Sequence, residues 1–425
     1  MLEMQKKLSK PFYAILSLPA TAMGFALSIQ IAALSWLMRT QFNLDLHEIG
    51  FVWAAGPLAG IIGQPIVGLI SDKVWFWGGR RRPFILIGGS LAALMLFALP
   101  NIGVISEFFG FTNIIIVAVF VALTLDLAIN ISFNPTRSII ADVTPEGVPR
   151  TKGYTWMQTV SGSFGVLAYA IGAIFGNFFL IYFGVLLVLL FSIIPMMFVK
   201  ESKELQTEQA ENNTHSSSKT DWNQFLKLLF AHSFSWIGVQ TMFVYMIGFV
   251  EQKLNPATND ETGQILSISF LILNAVGALL PAFVLEPITE KIGRVKTHLS
   301  AVAIMSLGYF GIVFFGTSSV NVWILMAVCG IGWAAIVSLP FAIMSEKVNK
   351  AKMGFFMGIF NLSVVLPQLF VSLVIGTFIQ NAADKNLIFI ISGTTLLISS
   401  VLWFMVKDSP SSKVTNNSSI PSGHS

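Results

Sequence analysis

The chain has 425 residues, of which 54% are hydrophobic and only 11% charged, and its mean hydropathy is +0.75. Soluble domains carry about 25% charged residues, so this composition excludes an ordinary soluble domain and indicates an integral membrane protein. The formal net charge is +4, and we assign that excess to short loops beside a membrane, not to a nucleic-acid-binding surface.

Long apolar stretches follow one another along the chain. A spanning helix needs about 20 mostly apolar residues, and these stretches lack the alternation of membrane β-strands. The first is too long for the apolar core of a signal peptide, and we see no cleavage site, so we expect it to remain as a helix. We predict twelve spanning helices, at 12–38, 49–70, 83–101, 112–141, 153–177, 179–199, 223–250, 263–285, 297–316, 320–345, 353–379 and 386–406.

Two polar segments divide this pattern. Residues 200–221 are rich in Ser, Glu, Gln and Asn, which predicts a flexible cytoplasmic linker. It would join a first six-helix bundle (1–199) to a second (222–407). The tail, 408–425, is predicted to be disordered in the cytoplasm.

Basic residues in the loops predict the orientation. The loops on one side hold only Arg39, Lys253 and Lys385, whereas the other side holds most of the remaining Lys and Arg. The positive-inside rule places the basic side in the cytoplasm. Both termini are then cytoplasmic, and the compact loops favour a multi-pass protein of the inner membrane of a bacterial cell.

The two halves of the chain repeat short motifs. VKES at 199–202 matches VKDS at 406–409, and Pro135 and Pro340 align 134–143 with 339–348. The loops after the second and eighth helices share an acid, a Lys and a Gly-Arg pair, at Asp72, Lys73, Gly79, Arg80 and at Glu290, Lys291, Gly293, Arg294. The echoes predict two like-oriented bundles related by a pseudo-two-fold axis along the membrane normal. Such an all-α arrangement resembles the major facilitator superfamily, with a site at mid-membrane between the bundles.

The repeated loop motif also predicts a gate. An acid at the cytoplasmic end of a helix can bind Arg or Lys of the next loop and so hold the bundles in one state; the alternative is a basic loop that only sets topology. The candidate gating residues are Asp72, Lys73, Arg80, Arg81, Asp142, Glu290 and Arg294.

Three blocks of sequence resemble the sucrose–proton symporters, a family that includes plant sucrose carriers and bacterial sucrose or maltose carriers. They are GPLAGIIGQPIVGLISDKVWFWGGRRRPF (56–84), DLAINISFNPTRSIIADVTPEG (126–147) and SLPFAIMSEKVNKAKMGFFMGIFNLSVVLPQLF (338–370). The chain departs from the family in two places. Ser28 stands where the first helix tends to carry Gln, with Gln30 two residues later, and AAIVSLPF (334–341) is less polar than in many relatives.

The resemblance implies proton-coupled symport of sucrose, maltose or a related glycoside by alternating access. It implies that Asp126 is the proton acceptor, that Arg137 is essential for coupling, and that Asn130 faces the sugar. The implied partners are a sugar, a proton and the lipid bilayer. We expect no cofactor, no metal and no nucleic acid, and a monomer.

Helical geometry puts these residues on one stripe. At about 100° per residue, Asp126 and Arg137 lie roughly 20° apart around the helix, and about 16 Å apart along it, so they cannot pair directly. Asn130 and Asn134 lie on the same stripe, beside Pro135, which is expected to kink the helix. An isolated carboxylate at mid-membrane favours its neutral form, as a residue that takes up a proton requires; the alternative is a packing contact for Asp126 and a snorkelling side chain for Arg137.

Other polar residues within the spans are candidate sugar contacts, at even odds with helix packing. They are Gln30, Gln64, Gln158, Gln240, Tyr245, Asn274, Asn361 and Gln368. A ring against the apolar face of a sugar could come from Trp36, Trp53, Trp156, Trp236 or Trp333.

Motifs of enzymes and of ATP-driven pumps are missing from the sequence: it has no Cys-x-x-Cys, no HExxH and no G-x-x-x-x-G-K-[ST]. We therefore predict a carrier driven by a gradient, not an enzyme. A carrier for a polyamine or an organic acid, and a non-transporting sensor of the same fold, remain as alternatives, and sodium remains as an alternative coupling ion.

Overall fold

The computed structural model describes residues 2–145, 148–201, 220–280, 284–349 and 353–408. Within these ranges the secondary structure is helical, apart from one isolated bridge between Phe76 and Gly79. The prediction of an all-helical fold is confirmed. Most of the predicted linker, and the predicted tail beyond residue 408, lie outside the described residues.

In the first half of the chain, residues 2–201, side chains cap the N-termini of the two long helices that begin near residues 10 and 46. The Ser9 side chain accepts from the backbone N–H of Phe12, and Asp45 and Glu48 form a capping box. The helices are α1 (Leu2–Lys6), α2 (Lys10–Thr40), α3 (Leu46–Lys73), α4 (Arg82–Ala98), α5 (Ile102–Phe108), α6 (Ile114–Val143), α7 (Val148–Phe175) and α8 (Asn177–Phe198).

The second half, residues 220–408, is built in the same way, with Asp221 and Ser318 capping two of its helices. Its helices are α9 (Trp222–Phe249), α10 (Asn259–Leu280), α11 (Glu286–Ile292), α12 (Arg294–Phe315), α13 (Ser319–Ser345), α14 (Met353–Phe370), α15 (Gly376–Asn381) and α16 (Leu387–Trp403). π-helical turns at Val250–Leu254 and Val371–Ile375 extend α9 and join α14 to α15.

Most of these helices are long and apolar. Within the described ranges, ten helical stretches have the length and composition to cross a membrane, α16 is a shorter apolar helix, and α3 has 28 residues. The protein is an integral, multi-pass membrane protein. The predicted span at 83–101 continues through a 3₁₀ turn at Leu99–Asn101 into α5, and α6 passes through Pro135 without ending.

The two halves of the chain pack against each other along a central interface. α2 packs against α6, α7 and α8, and α3 and α4 pack against α6. In the second half, α12 packs against α13 and α16, and α9 packs against α14 and α16. Between the halves, α10 contacts α2 and α7, while α3 contacts α14 and α15. The largest buried apolar cluster contains residues of both halves, among them Phe25, Trp36, Tyr245 and Phe270.

Candidate functional site

A cavity of about 430 Å³ lies between the two halves, within the usual range for small-molecule sites. α2, α3 and α6 line it from the first half, and α9, α13 and α14 from the second. Its polar side chains are Gln30, Asp126, Asn130, Gln240, Asn361 and Gln368, and its aromatic ones are Trp53, Phe133, Trp236, Phe243 and Trp333. Among the described residues that line it, Asp126 alone is ionisable.

Asp126 is held against two neighbouring helices. Its side chain is 7% exposed, and Gln30 Nε2 on α2 donates to its Oδ2 at 3.0 Å. On α3, a Cβ added to Gly56 would lie 3.3 Å from the same oxygen, so the absence of a side chain there lets the carboxyl approach the helix. Asn130 Nδ2 donates to the Asp126 backbone carbonyl at 2.8 Å. The carboxyl is therefore fixed in the wall of the cavity.

The second half supplies amides and oriented indole rings. Gln368 Nε2 donates to Gln240 Oε1 at 3.3 Å. Trp333 Nε1 donates to Asn274 Oδ1 at 3.1 Å, and Trp236 Nε1 donates to His232 Nε2 at 2.9 Å. These bonds fix the planes of two rings that face the cavity. Asn274 serves as such a support and does not line the cavity.

Besides Asn274, four predicted sugar contacts lie outside the lining of this cavity. Tyr245 is buried on α9, where its hydroxyl donates to the Val371 carbonyl at 3.1 Å. Trp156 and Gln158 lie on α7, whose main packing partners are α2 and α10, and none of the described side chains of α7 lines the cavity. Trp36 is also turned away, because its Nε1 donates to the Asn259 carbonyl at 2.6 Å. The side chain of Gln64 lies outside the described ones.

The polar stripe of α6 divides into two parts. Asp126 and Asn130 line the cavity, while Arg137 is an exposed side chain whose guanidinium carbon lies 4.1 Å from the centroid of the Phe133 ring. Among the described residues, no ion pair joins Asp126 to Arg137. The expectation that the two residues do not pair directly agrees with this geometry.

Two aromatic residues of the cavity were not predicted from the sequence. Phe133 lies three residues after Asn130 and seven after Asp126, and Phe243 lies three after Gln240 and seven after Trp236. This spacing puts each ring on the same helix face as a predicted contact, so both rings could have been predicted from the sequence. Phe243 packs edge-on against Trp333, with ring centroids 5.4 Å apart.

Bonds between the two halves lie at one end of the molecule, here called the Arg39 end. Arg39 Nε donates to both carboxylate oxygens of Glu251, at 3.1 and 3.0 Å. The backbone N–H of Leu46 donates to Gln380 Oε1 at 2.9 Å, and His47 Nδ1 lies 2.9 Å from Thr377 Oγ1. Each contact joins the first half to the second. We call this set of six residues the Arg39 seam.

At the opposite end, called the Arg80 end, the contacts stay within each half. Asp142 at the end of α6 binds Arg80 at 2.9 Å and Arg81 at 3.1 Å. Glu201 accepts from the backbone N–H groups of Arg80, Arg81 and Arg82. Among the described residues, the bonds identified at this end lie within one half of the chain, whereas the bonds that join the two halves lie toward the Arg39 end.

The second half repeats the pattern of the Arg80 end. Asp408 accepts from the Val295 N–H at 3.0 Å, as Glu201 does from the loop before α4. Arg294 binds Glu346 at the end of α13, as Arg80 binds Asp142 at the end of α6. Glu290 is exposed on α11, and the side chains of Asp72 and Lys73 lie outside the described ones. The motifs that echo each other in sequence therefore occupy corresponding places.

Comparison with known proteins agrees with this architecture. A family model described as Major Facilitator Superfamily matches residues 16–372. The chain is 23% identical over 445 residues to the sucrose transport protein SUC4 of Arabidopsis thaliana, covering 90% of this chain and 87% of that protein. A stretch of 143 residues is 34% identical to the general alpha-glucoside permease of Schizosaccharomyces pombe, covering 31% of this chain and 25% of that one.

A solved structure gives the same picture at the level of the fold. The crystal structure of a D-xylose-proton symporter superposes with a TM-score of 0.71 at 17% identity, and the match covers 93% of this chain and 97% of that one. At this identity the likeness concerns the fold alone.

Proposed function

This chain belongs to the Major Facilitator Superfamily, whose members are transporters. We propose that it carries a sugar of the sucrose or maltose class across the membrane together with a proton. The observation that carries the proposal is the cavity between the halves. One buried carboxyl faces five amide side chains and three indole rings there.

The lining of this cavity suits a neutral, polyhydroxylated solute. Amides donate and accept hydrogen bonds at once, as hydroxyl groups require, and the apolar face of a sugar ring can pack on Trp236 or Trp333. An organic acid would require a cation, and no Lys, Arg or His is found among the described residues of the lining. A polyamine would require more than one acid, whereas Asp126 is the one acid among the described residues of the lining.

The helices support an arrangement of twelve spans in two six-helix bundles. The ten long apolar stretches, together with α3 and α16, make up that number. We assign residues 1–199 to the first bundle, 222–407 to the second, 200–221 to the linker and 408–425 to a tail. The corresponding contacts of Glu201 and Asp408 support a pseudo-two-fold relation between the bundles.

The distribution of basic residues supports a cytoplasmic Arg80 end in a cell membrane. A reporter fused after Lys407 should therefore behave as cytoplasmic, and one inserted beside Asn259 as external. Alkaline phosphatase and green fluorescent protein fusions measure this directly, since the first is active only outside and the second fluoresces only inside. Both sites on one side of the membrane would contradict the twelve-span arrangement.

In this orientation the bonded Arg39 seam is external and the cavity is accessible from the cytoplasm. Alternating access then requires the Arg39 seam to open and the Arg80 end to close around the loaded site. Asp126 takes up a proton from the external side and releases it to the cytoplasm. Arg137, on the exposed cytoplasmic part of α6, favours that release by its positive charge.

The loop that carries Arg80 is assigned to the gate. Its contacts with Asp142 and Glu201 hold the cytoplasmic ends of α3, α4 and α6 in one unit that must move as the carrier changes state. Arg80→Ala should slow turnover about fivefold, since a well-placed ion pair contributes about 1 kcal/mol. Sugar binding should remain, because this loop does not line the cavity.

Turnover in vesicles and sugar binding by thermal shift measure the two effects separately. Arg294→Ala removes the corresponding, more exposed pair in the second half and should slow turnover less. Loss of sugar binding in a folded Arg80→Ala protein would contradict the assignment of this loop to the gate.

Uptake by the purified protein tests the proposed function. Proteoliposomes with an imposed proton gradient, acidic outside, should concentrate radiolabelled sucrose or maltose, and an ionophore that collapses the gradient should prevent this. A sodium gradient without a proton gradient should not replace it. Binding of a sugar without any transport would instead favour a sensor, and transport of an amine or an acid in place of a sugar would overturn the choice of substrate.

A further inference from the structure

The hydrogen bond between Gln30 and Asp126 joins two helices inside the cavity. Gln30 on α2 is 5% exposed and Asp126 on α6 is 7% exposed. Gln30 Nε2 lies 3.0 Å from Asp126 Oδ2, and both side chains line the cavity. Within the described residues, Gln30 is the one side chain that donates to this carboxyl. We propose that Gln30 is a positioning residue that couples protonation of Asp126 to sugar binding by reversing its amide.

The chemistry of the two groups requires such a reversal. An ionised carboxylate only accepts hydrogen bonds, so the NH₂ group of Gln30 must face it, and the amide oxygen faces elsewhere. A protonated carboxyl has an O–H to donate, and the amide oxygen is then its best acceptor. Because the amide NH₂ group and oxygen are similar in size, a half turn about the last side-chain bond exchanges their positions, and the surrounding residues need not move.

The reversal changes what Gln30 offers to a solute. With Asp126 ionised, the side of the amide away from it carries an acceptor. With Asp126 protonated, that side carries N–H donors instead. A sugar hydroxyl whose own proton is already donated to another group accepts from this NH₂ group in the protonated carrier, and it loses that donor once the proton leaves. Proton release thereby weakens sugar binding, as a symporter requires on the cytoplasmic side.

No other described charge competes for Asp126 inside the cavity. The described charged side chains of the helices that pack against α6 lie toward the helix ends, at Lys10 and Arg39 of α2, His47 and Glu48 of α3, Arg82 of α4 and Lys152 of α7. Glu107 is exposed on α5, and Tyr169 of α7 is buried outside the lining. On α6 itself, Arg137 and Asp142 lie at the Arg80 end. The proton balance is simple: one proton binds the carboxylate from the water on the side to which the cavity is open, and it leaves to water on the other side.

The inference rests on the proposed sugar–proton symport and is tested by the pH dependence of sugar affinity. In wild-type proteoliposomes, the half-saturating sugar concentration for equilibrium exchange should rise about fivefold from acidic to alkaline pH, the effect of one hydrogen bond. In Gln30→Met, which keeps the length of the side chain but neither donates nor accepts, the concentration should be high at both pH values. Gln41→Met removes an exposed amide at the end of the same helix and should behave as wild type.

A structural role alone would weaken sugar binding equally at every pH and preserve the fivefold change. That result in Gln30→Met, or in Gln30→Leu if the Met variant does not fold, would overturn the inference, because neither side chain can donate or accept a hydrogen bond. It would leave the proposed function intact as long as the wild type concentrates sugar in response to a proton gradient. Failure of the wild type to concentrate any sugar would instead overturn the proposed function.

Discussion

Asp126→Asn should abolish accumulation of sugar against its gradient and leave exchange of sugar across the membrane intact. Asn has the size of the protonated acid and keeps a hydrogen-bonding partner for Gln30. Asn cannot release a proton, so the carrier stays in a form that resembles the protonated one. Because a bare carboxylate at mid-membrane resists loss of its water, we expect the neutral form to reorient readily with sugar bound.

Proton-driven uptake and counterflow, measured in the same vesicles, separate the two functions. In Asp126→Asn, the concentration ratio reached under a proton gradient should fall to the ratio reached without one, while counterflow persists. Wild-type uptake should decline as external pH rises, since fewer carriers hold the proton. The matched control is Asp260→Asn, the same chemical change at an exposed position on α10, which should leave both activities unchanged.

Continued accumulation of sugar by Asp126→Asn would refute the assignment of this residue as the proton carrier. Loss of counterflow in a well-folded variant would show that the carboxyl is needed for binding or reorientation itself, which also contradicts the assignment. Arg137 can be tested in the same vesicles, where Arg137→Lys should retain more uphill transport than Arg137→Gln because it keeps the positive charge.

Gly50→Val should hold the Arg39 seam open and slow net transport. Gly50 lies on α3 directly against the second half: a Cβ at this position would overlap the Ser372 carbonyl and lie 2.6 Å from the Tyr245 hydroxyl. The obstacle is backbone, which cannot rotate away. Overpacking of this kind costs about 1–3 kcal/mol, which shifts the ratio of closed to open seam by about fivefold to 150-fold.

Two measurements follow the expected change. Net uptake should fall by a factor in that range, and the cavity should become accessible from outside. For the second, Leu34, a buried residue of the cavity wall, is replaced by Cys in a protein whose buried Cys329 is replaced by Ala. A membrane-impermeant maleimide added outside should label it faster in Gly50→Val than in the parent.

Gly162→Val is the control, because a Cβ at this exposed position of α7 meets nothing within 4 Å. It should leave uptake and labelling unchanged. Normal turnover by Gly50→Val, or slow labelling of its cavity thiol, would show that the approach of α3 to the π-helical turn Val371–Ile375 is not what closes the external side.

Local patterns were enough to identify the helices and the family. Apolar length determines whether a segment can cross a membrane, and that property is written in consecutive residues. The three blocks quoted above carry the resemblance to sucrose carriers, which the comparisons confirm. Asp126 could be found because a single acid inside an apolar run stands out. The number of spans, the orientation and the roles of Asp126 and Arg137 stay predictions.

Only the tertiary structure decided which polar residues share a cavity. In a membrane protein the faces of a helix toward lipid and toward other helices are both apolar, so the sequence hardly reports how each helix is rotated. Tyr245 and Gln240 both lie on α9, yet one is buried against Val371 and the other lines the cavity. Gln30 and Asp126 are 96 residues apart in the chain, and no pattern in the sequence pairs them. Their contact, and the closure of the Arg39 seam, depend on how α2, α3 and α6 pack against one another and against the second half, which is a property of the whole assembly of helices.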